Sequence, residues 1–164
     1  MKKLFLVAAF ALIGFSVQAQ EGFKLGVTVQ LPVGDASDFS SFGLGLDAAY
    51  MFEVSDQFDL GIATGFNNIF GKTFEEQGFE FEVEDAQYIP LAAAARFKAT
   101  EDFSVGADLG YAIGINEGND GGFYYKPTVG YMVSEATQLN LSYVGISADG
   151  GTFSTINLGV LFSL

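Results

Sequence analysis

Three aspartates, Asp47, Asp59 and Asp108, share one parity within alternating segments. Paired carboxylates are what glycoside hydrolysis requires. The same parity carries a fourth acid, Glu53, and four bases: Lys24, Arg96, Lys98 and Lys126. Four charges of each sign favour a salt-bridge network over an acid/base pair, because an unpaired buried charge is far costlier than a paired one. The chain has no His and no Cys. Imidazole bases, Ser–His pairs, thiolate nucleophiles and Cys- or His-ligated metals are therefore excluded. No catalytic residue and no cofactor is assigned, and the chain is not read as an enzyme.

Three motifs invite chemistry and fail on context. Gly43-Leu44-Gly45-Leu46-Asp47-Ala48 has the form of a dinucleotide-binding loop, but no helical pattern follows it. Gly71-Lys72-Thr73 would complete a phosphate loop only with a glycine at the position of Phe66. Asn116 to Gly121 begins like a calcium loop, yet its twelfth position is Pro127. The only metal candidates are Glu80, Glu82 and Glu84, and they are weak ones.

The 164 residues carry a net charge of -13, which leaves no basic footprint for nucleic acid. Met1-Lys2-Lys3, the apolar run Leu4 to Val17 and the small residues of Val17-Gln18-Ala19 read as a cleavable signal peptide over 1–19. The run is too short to span a bilayer as a helix. The expected mature domain is 20–164.

Beyond the leader the hydrophobic period is two. Phe23, Leu25, Val27, Val29 and Leu31 open a series of eight expected strands, followed by Phe42 to Val54, Phe58 to Phe66, Tyr88 to Lys98, Phe103 to Ile115, Phe123 to Val133, Gln138 to Ile146 and Thr155 to Leu164. Short connectors at 55–57, 99–102 and 134–137 alternate with longer ones at 32–41, 67–87, 116–122 and 147–151. That asymmetry predicts an all-β, eight-stranded antiparallel up-and-down transmembrane β-barrel.

A soluble barrel alternates equally well, so the composition of the two faces decides. The face opposite the large apolar residues carries Gly26, Gly43, Gly45, Gly61, Gly65, Gly106, Gly110, Gly114, Gly130 and Gly159 with several alanines. A water-facing surface would be rich in Lys and Glu; small residues suit the narrow lumen of an eight-stranded barrel. The large residues therefore face lipid and the eight charges face the lumen. Phe23, Phe52, Phe58, Phe97, Phe103, Tyr131 and Phe162 fall at the short-turn ends as an interfacial girdle. Pro32, Pro90 and Pro127 are expected toward the long-loop ends, where a missing ladder donor is better tolerated.

The strand pattern, Tyr88-Ile89-Pro90-Leu91 and the ending Ile156 to Leu164 resemble the small eight-stranded outer-membrane barrels of the OmpA transmembrane-domain and OmpX kind. The resemblance covers the whole mature segment. It implies an outer-membrane location, contact with lipid and lipopolysaccharide, and insertion by the barrel-assembly machinery, which reads an aromatic C-terminus. Here the last residue is Leu164 and the nearest aromatic is Phe162.

The connector at 67–87 is itself patterned. Ile69 to Glu84 reads as an extracellular hairpin turning at 76–78, with Phe70, Lys72, Phe74, Phe79 and Phe81 as its marker residues and with Glu80, Glu82 and Glu84 on its lumen-side face. It is expected to shield the mouth, to dock an extracellular protein along its edge, or to bridge divalent ions to lipopolysaccharide. A non-enzymatic structural or surface-interaction role with a plugged lumen is the leading expectation. A small porin-like passive channel is the alternative, and a secreted lipocalin-like binder of an apolar ligand is the outsider.

Overall fold

A computed structural model describes residues 22–76, 79–148 and 150–164. The expected signal peptide and the tip of the expected hairpin turn, 77–78, lie outside the described residues. Eight strands form a closed antiparallel barrel: β1 (Phe23–Val33), β2 (Ser40–Ser55), β3 (Phe58–Gly71), β6 (Ala86–Lys98), β7 (Phe103–Gly114), β8 (Gly122–Ser134), β9 (Thr137–Ala148) and β10 (Gly151–Ser163). Closure comes from β1 pairing with β10, from Lys24↔Ser163 to Val33↔Ser154, so no barrel edge is left open. A short helix, α1 (Ala36–Phe39), lies between β1 and β2. Two further strands, β4 (Thr73–Glu76) and β5 (Phe79–Glu82), form a separate two-stranded sheet.

The alternation follows directly from the pleat. Ile62, Leu91 and Leu158 are about 60% exposed on the outer wall, while Gln30 and Thr155 on the opposite parity are fully buried. An exterior of exposed Val, Leu, Ile and Phe is stable only in lipid, since it would be an aggregation surface in water. The small inner residues let polar side chains from facing strands meet. A Cβ at Gly45, for example, would come within 2.6 Å of both the Gln30 amide nitrogen and the Thr28 hydroxyl.

Short turns ring one mouth. Their hydroxyls act locally: the Phe58 N–H donates to Ser55 Oγ (3.1 Å) and the Phe103 N–H to Thr100 Oγ1 (2.9 Å). Phe23, Phe52, Phe58, Phe97, Phe103, Tyr131 and Phe162, the residues expected to form a girdle, all lie at this end, with Phe58 and Phe97 in contact at a centroid distance of 5.0 Å.

Two prolines sit deeper than the long-loop ends. Pro90 and Pro127 lie within β6 and β8, and each coincides with a skip in one ladder. The β3–β6 pairing passes from Thr64↔Leu91 to Asn67↔Tyr88, and the β8–β9 pairing from Tyr125↔Gly145 to Thr128↔Ser142. A residue without an N–H is accommodated where a ladder bond is omitted, not only at a strand end. Pro32 lies where β2 has already left: β1–β2 pairing stops at Gln30↔Gly43, whereas β1–β10 pairing continues past Pro32.

Candidate functional site

The lumen is layered. In its middle, Lys126 Nζ of β8 lies 3.0 Å from Asp47 Oδ2 of β2. These strands are four places apart in either direction around the barrel, so this pair spans the full diameter. Arg96 on β6 lies 2.6 Å from Asp108 on β7, the neighbouring strand. Asp108 in turn stands opposite Lys126 in the β7–β8 register. Toward the short-turn mouth, Lys98 contacts both Glu53 (2.8 Å) and Asp59 (2.9 Å). Seven of the eight charges are thus joined, and one base serves two acids.

Lys24 is the eighth, and among the described residues it makes no ion pair. It lines a cavity of about 740 Å³ open at the short-turn mouth, together with Glu53, Asp59, Arg96 and Lys98. Beside the central pairs, Asp47, Arg96, Asp108, Tyr124 and Lys126 line a separate space of only about 30 Å³.

A second, uncharged layer lies toward the long loops. The Gln30 side-chain amide donates to Asn67 Oδ1, and the Tyr88 hydroxyl donates to Gln30 Oε1 (3.3 Å). Ile69, Tyr88, Ala92, Ala112, Tyr124, Val144 and Ile146 pack around it as a buried apolar cluster. Sequence reasoning found the charges but not this layer. The available signal was parity: Gln30, Asn67, Tyr88 and Tyr124 share the face of the small residues, where bulk and polarity have no reason to occur except to fill the lumen.

The long loops are tied to one another. Asp85 accepts from the Gly71 N–H (3.1 Å) and from the Asn68 amide (3.0 Å), while its own carbonyl accepts from Asn116 (2.7 Å). Gln87 donates through its backbone to Asn116 and through its side chain to Asn68. On the other side, Lys72 Nζ donates to the carbonyl of Ser37 in α1 (2.6 Å).

The hairpin exists but begins later than expected. Phe70 belongs to β3, Lys72 links β3 to β4, Phe74 lies in β4, and Phe79 and Phe81 lie in β5. Glu80 and Glu82 are in β5, whereas Glu84 lies beyond its end. Among the described residues, no group of three or more acids is placed to hold a metal ion.

The family described as outer membrane protein beta-barrel domain matches residues 5–163. The chain belongs to that family. Its place is therefore the outer membrane, as the apolar outer wall requires. Among solved structures, the barrel is similar to Ail, the attachment invasion locus protein of Yersinia pestis, at 16% identity and a TM-score of 0.61, over 89% of this chain and 99% of that one. A second Ail structure, in complex with the heparin analogue sucrose octasulfate, gives 16% identity, a TM-score of 0.53 and coverage of 86% and 95%. De novo designed transmembrane β-barrels give 12% identity and 0.55, over 90% of this chain and 100% of theirs. At these identities the likeness is one of fold. No curated protein matches the chain in sequence.

Proposed function

We propose that the protein is a non-enzymatic outer-membrane barrel whose lumen is plugged, so that its role is structural or one of surface interaction and not transport. The observation that carries this reading is the Lys126–Asp47 pair between opposite strands, with a residual space of about 30 Å³ beside it. The 740 Å³ cavity at the short-turn mouth is then a blind vestibule. Planar-bilayer recording tests the plug: no stable wide-pore conductance is expected, and large reproducible steps from the purified protein would establish the channel reading instead.

The surface role rests on the hairpin and the loops bound to it. Lipid and lipopolysaccharide surround the wall, and the barrel-assembly machinery is the partner during insertion. An extracellular protein partner would meet the β4–β5 hairpin, whose strands each have a free edge. The sulfated ligand seen with Ail is not carried over. Lys72 is the only base in the long-loop segments, and it is committed to the Ser37 carbonyl. Deleting Thr73 to Glu82 and closing with a short Gly-containing turn should leave the barrel inserted and abolish surface binding; unchanged binding to every partner and surface tested would reduce the hairpin to a solvated rim.

A further inference from the structure

The β4–β5 hairpin is not an independent appendage but an in-register continuation of the β3–β6 ladder. Ile69 pairs with Ala86, and beyond a three-residue interruption Thr73 pairs with Glu82 and Phe74 with Phe81, with no residue gained or lost. The interruption is itself bridged: the Val83 N–H donates to the Lys72 carbonyl (3.0 Å), and Asp85 binds the Gly71 N–H. With register preserved, period-two alternation puts Phe74 and Phe81 on the same face as Phe66, Ile89 and Leu91, the lipid-facing wall. Both aromatics are exposed, Phe81 at 62%. Phe70, between them and Phe66 on that parity, stacks on Phe42 at a centroid distance of 4.8 Å.

Height decides what this face meets. Phe74 follows Phe58, at the opposite girdle, by sixteen residues. A rise of about 3.3 Å per residue at a tilt of about 40° places it roughly 40 Å above that girdle. The apolar band of such barrels is about 25 Å tall, and a bilayer with its headgroups about 40–45 Å. Phe74 and Phe81 therefore stand roughly 15 Å above the hydrocarbon, beyond a phospholipid headgroup layer and at the level of the sugar headgroups of an outer-leaflet glycolipid, on the side that faces them.

We infer that the Phe74–Phe81 face of the hairpin docks against the headgroup layer of the surrounding outer-leaflet glycolipid, continuing the barrel's membrane contact upward. This goes beyond the proposed surface role and needs only the outer-membrane barrel itself. It leaves the opposite face of the hairpin, which carries the exposed Glu82, to the mouth and the medium.

The chain contains no Trp, so a single introduced indole reports alone. Three variants are purified from outer membranes and reconstituted in vesicles of phospholipid with lipopolysaccharide: Phe81→Trp, Leu91→Trp on the wall, and Glu117→Trp in an exposed loop. The Phe81→Trp emission should be blue-shifted relative to Glu117→Trp and quenched by headgroup-labelled lipid, with reduced access for an aqueous quencher. Phe74→Ala in the Phe81→Trp background should shift the emission back toward that of Glu117→Trp. Emission and aqueous quenching identical to Glu117→Trp would overturn the inference, as would a shift that appears only when an extracellular protein is added. Retained heat-modifiability of each variant shows that the barrel is folded, so the readings concern the hairpin alone.

Discussion

Lys126 and Asp47 hold the most consequential contact, because among the described residues each is the other's one ion-pair partner and both side chains are largely buried. Lys126→Met leaves the Asp47 carboxylate uncompensated and should destabilise the barrel by about 3–5 kcal/mol, the usual cost of breaking a buried pair. Adding Asp47→Leu removes the orphaned charge, so the double variant should recover much of the loss. Urea midpoints in lipid vesicles check both, and an unchanged midpoint for Lys126→Met would mean that Asp47 reaches water. Lys98 is different. It is a third exposed and serves two acids near the mouth, so Lys98→Met should cost markedly less than Lys126→Met in the same measurement. Residue types and parity made the charge set readable in advance, but not its wiring. Equal numbers pointed to a balanced network without saying who pairs with whom, and the three-dimensional arrangement places Lys98 between Glu53 and Asp59 and leaves Lys24 in the vestibule.

Strands were legible in sequence because a lipid-facing wall forces every second residue to be apolar, and this pattern survives any detail of loop chemistry. Their ends were less legible. β3 continues to Gly71, five residues past Phe66, because its backbone pairing with β2 runs on to Ser40↔Gly71 and with β6 to Ile69↔Ala86, while Asn67 and Asn68 interrupt the hydrophobic alternation by which a strand is read from sequence. The prolines do fall toward the long-loop ends, but what admits Pro90 and Pro127 is a ladder that omits a pair within the strand and still closes. The joint between barrel and hairpin depends on one side chain. Asp85 joins Gly71 and Asn68 while its backbone receives Asn116. Asp85→Ala should cost about 1–3 kcal/mol locally through the unsatisfied Gly71 amide. Hydrogen exchange should then accelerate at Gly71 and through β4 and β5 while the barrel strands stay protected. Uniform protection would show that the joint is held by backbone pairing alone.

At the scale of the whole molecule, charge is sorted by compartment. The lumen balances its four acids with four bases, so the excess acid of the chain lies in loops and turns, most of it in the long-loop segments. That sorting gives the orientation a direct test. In outer-membrane barrels the short turns face the periplasm and the long loops face outward. β4 and β5, within which Glu75, Glu76, Glu80 and Glu82 occur, then stand on the outer side, whereas Glu101 in the turn before β7 and Glu135 in the turn before β9 lie behind the membrane. A glutamate-specific protease added to intact cells should cut within the hairpin and leave the two short turns whole. Those turns should become cleavable only after the outer membrane is permeabilised. The nicked barrel should still shift in electrophoretic mobility on boiling, because the eight-strand ladder closes without β4 and β5. Cleavage at Glu101 or Glu135 in intact cells, with the hairpin spared, would invert the orientation and place the acidic rim in the periplasm.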